Sequence, residues 1–403
     1  MQRHYGMDWL RIGAFQLLIL YHVGMAFVPW DFPVKVSRPI DWATIPMFLT
    51  NPWRLSLLFV VSGYASAALF AKEGRIASFL RSRAARLGMP LLFGIVVLAP
   101  PQAWVWVVTH AGYPHGFVAF VVRDYFRPQS LHGVIVPTWM HLWFVAYLLA
   151  YTLVLGAALA LPGRMRQTLR RWLEGALAGP ALLPLGVAWV YLARALLAPG
   201  WVETHALVDD WSAHAVYLPC FLFGYALAGS PALWAAIGRW WKLAGVLALA
   251  GWLTTGWAEV VWPGDSPAPP AMRPVLRLAR ATESWGAIIA LLGLADAYWN
   301  RDGRWRATLA EAVFPFYLIH QTIIVAVGYG LLATPTGPLA RFILLVAATW
   351  AGCWAFYLLG RRIGWLRPLI GLKPANGLAR TAQAGSIPAP AGAGLPRRAA
   401  ARG

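Results

Sequence analysis

Two ionisable side chains, Arg11 and His22, lie in the first long apolar segment of the chain, residues 9–28. Ionisable groups at membrane depth are costly, so they face a protein interior or a water-filled cavity and mark a pathway or a site. Eleven helical residues turn through about 1,100°, close to three full turns, which places both side chains on one helix face about 16.5 Å apart along the axis. The pair therefore suggests either a substrate pathway or a reactive site.

The same two residues also have a purely structural interpretation. Arg11 lies near the start of the segment, from where a long side chain can reach the membrane interface. A single histidine can serve as a hydrogen-bonded packing residue between helices. Spacing alone leaves both interpretations open.

Further polar residues lie in other apolar segments. His320 follows FPFYLI in residues 314–319, near mid-membrane, and its structural alternative is a hydrogen bond to a neighbouring hydroxyl. His141 opens the fourth apolar segment. Because most of the remaining histidines fall in predicted outer loops, we expect any chemistry in the outer half of the membrane. Ser62 and Gly63 lie in a stretch of small residues, which predicts close packing against another helix. No strand-turn-helix elbow surrounds Ser62, so the sequence does not indicate a serine nucleophile there.

The composition defines the class of protein. Of 403 residues, 59% are hydrophobic and only 12% are charged, which is too few charges to cover a soluble surface. Several runs are long enough to cross a bilayer core of about 30 Å. We therefore predict an all-α integral membrane protein with about ten transmembrane helices. The predicted spans are 9–28, 54–71, 87–108, 139–160, 181–199, 213–229, 242–261, 284–299, 310–333 and 339–360.

Orientation follows from the positive residues in short loops. Every second connection between the predicted spans is rich in arginine or lysine. These connections are 72–86, 164–171, 301–306 and the tail from Arg361, so both termini are predicted to be cytoplasmic. The connection 262–283 departs from this rule, because it carries Arg273, Arg277 and Arg280 but should lie outside. The first segment lacks a small-residue cleavage site and is expected to stay as a helix.

Several classes of site are not indicated. Cys220 and Cys353 define neither a disulfide framework nor a metal site, and no phosphate-binding loop or nucleotide fingerprint appears. The net charge of +19 is spread between the spans, which argues against nucleic-acid binding. We expect a transmembrane domain over 1–374 and a disordered cytoplasmic tail over 375–403.

A basic cluster precedes the third span. Positive-inside bias and contact with anionic lipid both explain it, and binding of a phosphate-bearing donor is an equal alternative. The cluster consists of Arg75, Arg81, Arg83 and Arg86.

Five short motifs in this order resemble the membrane acyltransferase family 3. They are an Arg followed by ten residues and a His (Arg11, His22), Phe-x-x-Ser-Gly-Tyr at 59–64, Arg-Leu-x-x-Pro-Leu-x-x-Gly at 86–94, His-Leu-Trp-Phe at 141–144, and Phe-Tyr-Leu-Ile-His-Gln at 316–321. The resemblance spans about residues 7–360, and within the family it is strongest to the branch that includes glucan biosynthesis protein C, a succinyl transferase acting on periplasmic glucans.

The resemblance implies a multi-pass protein of the bacterial inner membrane that transfers an acyl group, acetyl or succinyl, to a hydroxyl of an extracytoplasmic glycan or related acceptor. Cytoplasmic acyl-CoA is the implied donor substrate, with no permanently bound cofactor or metal. Arg11 and His22 are then the residues required for activity, with His320 as a further catalytic candidate. The basic cluster is the candidate donor-binding site, and Arg54 and His141 are candidates for substrate binding. Arg54 would face an anionic acceptor or a dicarboxylic acyl group, and a snorkelling arginine is the alternative.

Two mechanisms remain open from the sequence. His22 acts either as a general base on the acceptor hydroxyl or as a nucleophile that carries the acyl group. Arg11 is too distant to contact His22 and is assigned to donor binding, with Asp8 orienting it. The rival from another class is a transporter or flippase for a lipid or sugar, whose buried polar groups would line a translocation path. A catalytically silent membrane scaffold is a third option.

Overall fold

The computed structural model describes residues 4–197, 203–263, 266 and 268–374. The predicted tail, 375–403, lies outside the described residues. Of the described residues, 76% are helical and very few are in strands, in agreement with the all-α prediction. The two short strands, β1 (Gln129–Leu131) and β2 (Val134–Val136), form an antiparallel hairpin in which Gln129 pairs with Val136.

The described residues contain eleven helices of more than ten residues. They are α1 (Tyr5–Met25), α2 (Arg54–Glu73), α3 (Ile76–Ala111, with a π-helical turn at Gly94–Leu98), α4 (Trp143–Ala160), α5 (Gly163–Leu177), α6 (Leu182–Leu197), α7 (Trp211–Leu227), α8 (Pro231–Val261), α9 (Arg273–Tyr298), α10 (Arg306–Leu332) and α11 (Pro338–Gly360). Shorter helical turns are Asp41–Ala43, Thr44–Phe48, Phe117–Phe120, Val121–Tyr125, Met140–Leu142, Pro270–Met272 and Leu366–Leu369.

Seven of these helices are long and apolar enough to cross a membrane, and the number rises to eight if the bent pair α5 and α6, at 104° to each other, forms one span. All ten predicted apolar segments coincide with helices, but three of those helices do not reach the criterion. Helices α6 and α7 have only 16 and 17 residues. Helix α1 is long enough, but its polar residues, including Arg11 and His22, lower its mean hydropathy.

Two predicted connections contain helix. The segment 164–171 still joins the fourth and fifth predicted spans, but it lies inside the amphipathic helix α5 and not in a loop. The eighth span begins at Arg273, eleven residues before the predicted start at 284. Its first turns carry Arg277 and Arg280. These charged residues lowered the mean hydropathy of the segment, although both side chains line a cavity in the protein.

Polar contacts define one end of the bundle. Arg306 Nη1 donates to Asp8 Oδ2 at 2.7 Å, which joins the start of α10 to the start of α1. Tyr357 OH donates to Glu311 Oε2 at 2.7 Å, which adds the end of α11 to the same end. The start of α1 and the end of α11 therefore share one end of the bundle, which we call the termini end.

Candidate active site

A cavity of about 470 Å³ opens at the end of the bundle opposite the termini end. The last turns of α1, α3 and α6 and the first turns of α2, α4, α7 and α9 form its wall. Its volume lies in the range of pockets that enclose a small-molecule ligand. The cavity thus lies at one end of the bundle, and the expectation that this end is the outer one stays a prediction.

His22 and His320 meet at the wall of this cavity, although 298 residues separate them in the chain. His22 Nδ1 and His320 Nε2 are 2.8 Å apart, and the two rings are stacked with their centroids 5.1 Å apart. His22 lines the cavity, whereas His320 is completely buried behind it. A molecule in the cavity could therefore contact His22, while His320 lies behind it.

The protons on this pair can be assigned from the neighbours. His320 Nδ1 lies 2.7 Å from the backbone carbonyl oxygen of Tyr317, which can only accept, so Nδ1 carries a proton. The hydrogen bonds recorded for the two rings involve no carboxylate, so burial favours neutral imidazoles. His320 Nε2 then accepts from His22 Nδ1–H. The lone pair on His22 Nε2 remains for a substrate.

His141 completes the cluster. Its Nε2 lies 3.2 Å from the carbonyl oxygens of both Tyr317 and Leu318, and its ring is 5.1 Å from that of His320. Its Nδ1 lies 3.2 Å from Gln102 Oε1, and the Tyr317 hydroxyl donates to the backbone oxygen of His141. These bonds tie the start of α4 to the middle of α10 beside His22.

Arg54, the first residue of α2, also lines the cavity. Its side chain is buried and lies over the ring of Tyr21, 3.3 Å from the ring centroid, in a cation–π contact. Arg54 Nη1 donates to Asn51 Oδ1 at 3.0 Å, and its buried Nε has no hydrogen-bond partner among the described residues. The guanidinium is thus held at the cavity wall, one residue position in α1 away from His22 through its contact with Tyr21, and its Nε–H has no partner among the described residues.

A paired carboxylate closes another part of the wall. Glu203 forms a salt bridge with Arg194 and accepts from the Tyr217 hydroxyl at 2.8 Å. Burial acts to raise the pKa of Glu203, but the charges of Arg194 and His205 and the hydrogen bonds outweigh it and lower the pKa to about 2. Glu203 is therefore ionised at neutral pH and matched by Arg194.

Arg11 lies away from the cavity, toward the termini end. Its Nη2 donates to the carbonyl oxygen of Ala310 at 3.1 Å, and Asp8 Oδ1 is 3.8 Å away. Between Arg11 and His22, the buried Phe15 packs edge-on against the rings of Phe144 and Tyr317. We call these three rings the aromatic layer; it separates the two residues of the first motif.

The basic cluster on α3 lies at the termini end as well. Arg83 is buried, with its Nε 3.4 Å from Thr152 Oγ1, and its Nη2 has no hydrogen-bond partner among the described residues. The other three arginines, Arg75, Arg81 and Arg86, are exposed. None of the four lines the cavity. The predicted donor-binding residues and the histidines thus occupy opposite sides of the aromatic layer.

Sequence reasoning missed several cavity residues. Arg194, Glu203, Arg277 and Arg280 were not candidates, although the departure of 262–283 from the positive-inside pattern was a signal for the last two. No sequence pattern indicated Glu203 or Arg194, because their pairing depends on how a loop folds back against α6. In the part of the chain that the structure describes, no three His, Cys, Asp or Glu residues are grouped to hold a metal ion.

Comparison with known proteins identifies the family of the chain. Residues 4–358 match the family model of the acyltransferase domain of acyltransferase family 3. Similar curated proteins include glucans biosynthesis protein C of Escherichia coli O1:K1 / APEC and of strain E24377A / ETEC, each 25% identical over 151 residues. That match covers 38% of this chain and 37% of each relative. No solved structure matches the chain. Since the family model covers nearly the whole sequence, the chain belongs to acyltransferase family 3.

Proposed function

We propose that the protein is a membrane O-acyltransferase that moves an acyl group from acyl-CoA to a hydroxyl of a glycan or related acceptor, with His22 as the general base. The observation that carries this proposal is the bond between His22 Nδ1 and His320 Nε2, which leaves His22 Nε2 as a base at the cavity wall. Histidine suits the role because its unperturbed pKa lies near neutral pH.

The proposed reaction is a direct transfer. His22 Nε2 takes the proton of the acceptor hydroxyl as the oxygen attacks the thioester carbonyl carbon. The carbon–sulfur bond then breaks, and the departing CoA sulfur receives a proton from the His22 imidazolium. The products are an ester and free CoA, and His22 returns to its starting state.

The positions of the basic residues support two routes of entry. The acceptor enters through the open mouth of the cavity, which we place on the extracytoplasmic side of the bacterial inner membrane. Acyl-CoA approaches from the cytoplasmic side, where Arg11 and the basic cluster on α3 are suited to its phosphates. The thioester must then pass the aromatic layer to reach His22, so Phe15, Phe144 or Tyr317 must move during the reaction.

The curated relatives bear on the choice of acceptor. The name of the curated relatives, glucans biosynthesis protein C, favours a glucan acceptor. Acetyl and succinyl groups are our candidates for the transferred group.

The decisive experiment measures thiol release from acetyl-CoA and succinyl-CoA by protein in nanodiscs, with and without glucan oligosaccharides. We expect acceptor-dependent release by the wild type and its loss in His22→Ala, by about 10²-fold or more as for removal of a general base. Arg11→Ala is expected to raise KM for the acyl-CoA. His115→Ala is the matched control, because His115 is exposed and lies outside the cavity.

Two outcomes would contradict the proposal. No thiol release with either donor, together with no CoA binding by folded protein, would favour a transporter. Acyl label that stays on the protein in the absence of acceptor, and is absent in His22→Ala, would replace direct transfer by an acyl-histidine intermediate.

A further inference from the structure

The acyl-transfer reaction proposed above gives no role to Arg54, although its buried side chain lines the cavity. A guanidinium group has five N–H donors. Among the described residues, two oxygen atoms interact with this one: Asn51 Oδ1 accepts from Nη1 at 3.0 Å, and the Tyr21 hydroxyl lies close to the same group. The buried Nε has no hydrogen-bond partner among them. Arg54 therefore has donors left for an oxygen atom of a bound substrate.

The guanidinium of Arg54 is held in place by two neighbours. Arg54 begins α2, and its Cζ lies 3.3 Å from the centroid of the Tyr21 ring in α1. Asn51, three residues earlier in the chain, accepts the hydrogen bond from Nη1. A donor that is fixed before the reaction begins needs no reorganisation when charge develops beside it.

Tyr21 also places Arg54 near the proposed general base. The centroid of the Tyr21 ring is 6.0 Å from that of His22, the next residue of α1, and 3.3 Å from Arg54 Cζ. A tetrahedral carbon whose two oxygens each form a hydrogen bond of about 3 Å joins groups that are roughly 6–8 Å apart. The two contacts of Tyr21 set a separation of this order between His22 and Arg54, so one reacting carbon fits between them.

The charge of Arg54 gives this position a chemical meaning. It acts electrostatically on His22, and a cation beside a base opposes protonation of that base. The opposition is relieved if negative charge develops beside the guanidinium when His22 takes up a proton. The attack of a hydroxyl on a thioester has this property, because the electron pair of the C=O π bond moves onto the carbonyl oxygen.

We propose that Arg54 is a catalytic residue that donates a hydrogen bond to the thioester carbonyl oxygen, a proposal that rests on the acyl-transfer function above. The acceptor oxygen bonds to the carbonyl carbon, its proton passes to His22 Nε2, and the carbonyl oxygen becomes an oxyanion beside Arg54. When the carbon–sulfur bond breaks, the C=O bond forms again and the thiolate takes the proton from His22. Arg54 stays protonated throughout, because a guanidinium does not lose its proton in proteins.

This role differs from the sequence-based expectation that Arg54 faces an anionic acceptor or a dicarboxylic acyl group. The thioester carbonyl is common to every acyl-CoA, whereas a free carboxylate on the acyl group occurs in succinyl-CoA and not in acetyl-CoA. Arg54 should therefore be needed equally for both donors.

The test compares the wild type with Arg54→Met and Arg54→Lys in nanodiscs, by thiol release from acetyl-CoA in the presence of glucan oligosaccharides. We expect Arg54→Met to lower kcat by about 10²–10³-fold, as removal of an oxyanion donor does. Arg54→Lys should recover part of the loss, because an ammonium group keeps the charge and its donors. Arg273→Met is the matched control and should keep the wild-type kcat, because Arg273 is exposed on α9 and lies outside the cavity.

A second measurement separates catalysis from donor binding. S-ethyl-CoA is a thioether without a carbonyl oxygen, so Arg54 has no group on it to stabilise. Its dissociation constant, measured by titration calorimetry, should be the same for the wild type and both Arg54 variants. Unfolding midpoints identify a variant that does not fold, and if Arg54→Met fails in this way, Arg54→Lys decides the outcome by its kcat.

Three results would overturn the proposal. A folded Arg54→Met protein with the kcat of the wild type would exclude a contact with the reacting atoms. A loss confined to succinyl-CoA would assign Arg54 to the carboxylate of the acyl group. Weaker binding of S-ethyl-CoA in proportion to the loss of kcat/KM would show that Arg54 only holds the donor. Failure of the acyl-transfer function is distinguishable from these results, because the wild type and Arg273→Met would then release no thiol either.

Discussion

At the scale of single residues, the site depends on which nitrogen of His22 carries a proton. The Tyr317 carbonyl fixes the proton of His320 on Nδ1, and His320 in turn fixes the proton of His22 on Nδ1. In many hydrolases a buried carboxylate orients the catalytic histidine in this way. Here a second neutral imidazole takes that place, which avoids an ionised acid in the bundle. We therefore propose that His320 is a positioning residue that acts through His22.

We predict that His320→Ala lowers kcat by about 10²-fold, as loss of an oriented base would. His320→Gln should recover part of that loss, because its side-chain oxygen can accept the His22 Nδ1–H bond. The measurement is thiol release with saturating donor and acceptor. Equal activities of the Ala and Gln variants, with both proteins folded, would show that His320 only fills space.

Sequence reasoning reached these residues but not their geometry. His22, His320 and His141 were each found because a histidine in an apolar segment stands out against its neighbours. Their meeting point was not predictable, because no spacing rule links residues 298 positions apart. Arg54 was found at a helix start, but its contact with Tyr21 depends on how α1 and α2 pack.

The half-buried pair of Arg194 and Glu203 gives a second prediction at this scale; the two side chains are 17% and 15% exposed. Removing one partner leaves an uncompensated charge, which costs about 3–5 kcal/mol in a fully buried pair and less in a pair that lines a cavity. Arg194→Met should therefore lower the unfolding midpoint, and the double variant with Glu203→Gln should recover most of the loss. Thermal unfolding followed by tryptophan fluorescence measures both. A double variant as unstable as the single one would contradict this account.

The same pair has a defined pH dependence. The pKa of Glu203 is lowered from about 4.5 to about 2, so its stabilising contribution is fully present above about pH 4.5 and is lost as pH falls toward 2. Between pH 5 and 8 we expect no contribution of Glu203 to changes in unfolding midpoint. The Arg194→Met, Glu203→Gln protein should lack the acid-induced destabilisation between pH 4.5 and 2 that this pair gives the wild type.

At the scale of helices, the crossing of α2 and α7 determines where Arg54 lies. A Cβ atom at Gly63 would overlap the carbonyl oxygen of Phe221, and one at Gly224 would overlap that of Val60. The small residues predicted to allow close packing of α2 do so, and the structure shows that the partner is α7. Helices that approach this closely hold the first turn of α2, and with it Arg54, at the cavity wall.

We predict that Gly63→Ala destabilises the protein, because the two backbones must separate to admit the methyl group. Gly88→Ala is the matched control, since Gly88 lies on α3 with open space around its Cα; there the substitution should be neutral or stabilising by about 0.5–1 kcal/mol. Unfolding midpoints in one detergent give the comparison. Equal midpoints for the two variants would contradict the proposed close packing.

At the scale of the whole molecule, the two functional regions lie at opposite ends. The cavity opens at one end, and Arg11 and the α3 arginines lie at the termini end, with the aromatic layer between them. This division suits a reaction whose donor and acceptor are on different sides of a membrane. The hydropathy pattern predicted the helices that create this division, and its direction, inferred from the loops rich in arginine, stays a prediction. The start of α9 departs from the positive-inside pattern because Arg277 and Arg280 line the cavity.

The direction of this division can be measured with a thiol reagent that does not cross membranes. Both native cysteines, Cys220 and Cys353, are buried, so the unmodified protein should label weakly in intact cells. Val208→Cys, in the exposed loop at the cavity end, should label from outside. Trp172→Cys, exposed on α5 at the termini end, should label only after the membrane is made permeable. The reverse pattern would place the mouth of the cavity on the cytoplasmic side. The acceptor and acyl-CoA would then enter from the same compartment, and the proposed entry of the two substrates from opposite sides of the aromatic layer would be wrong.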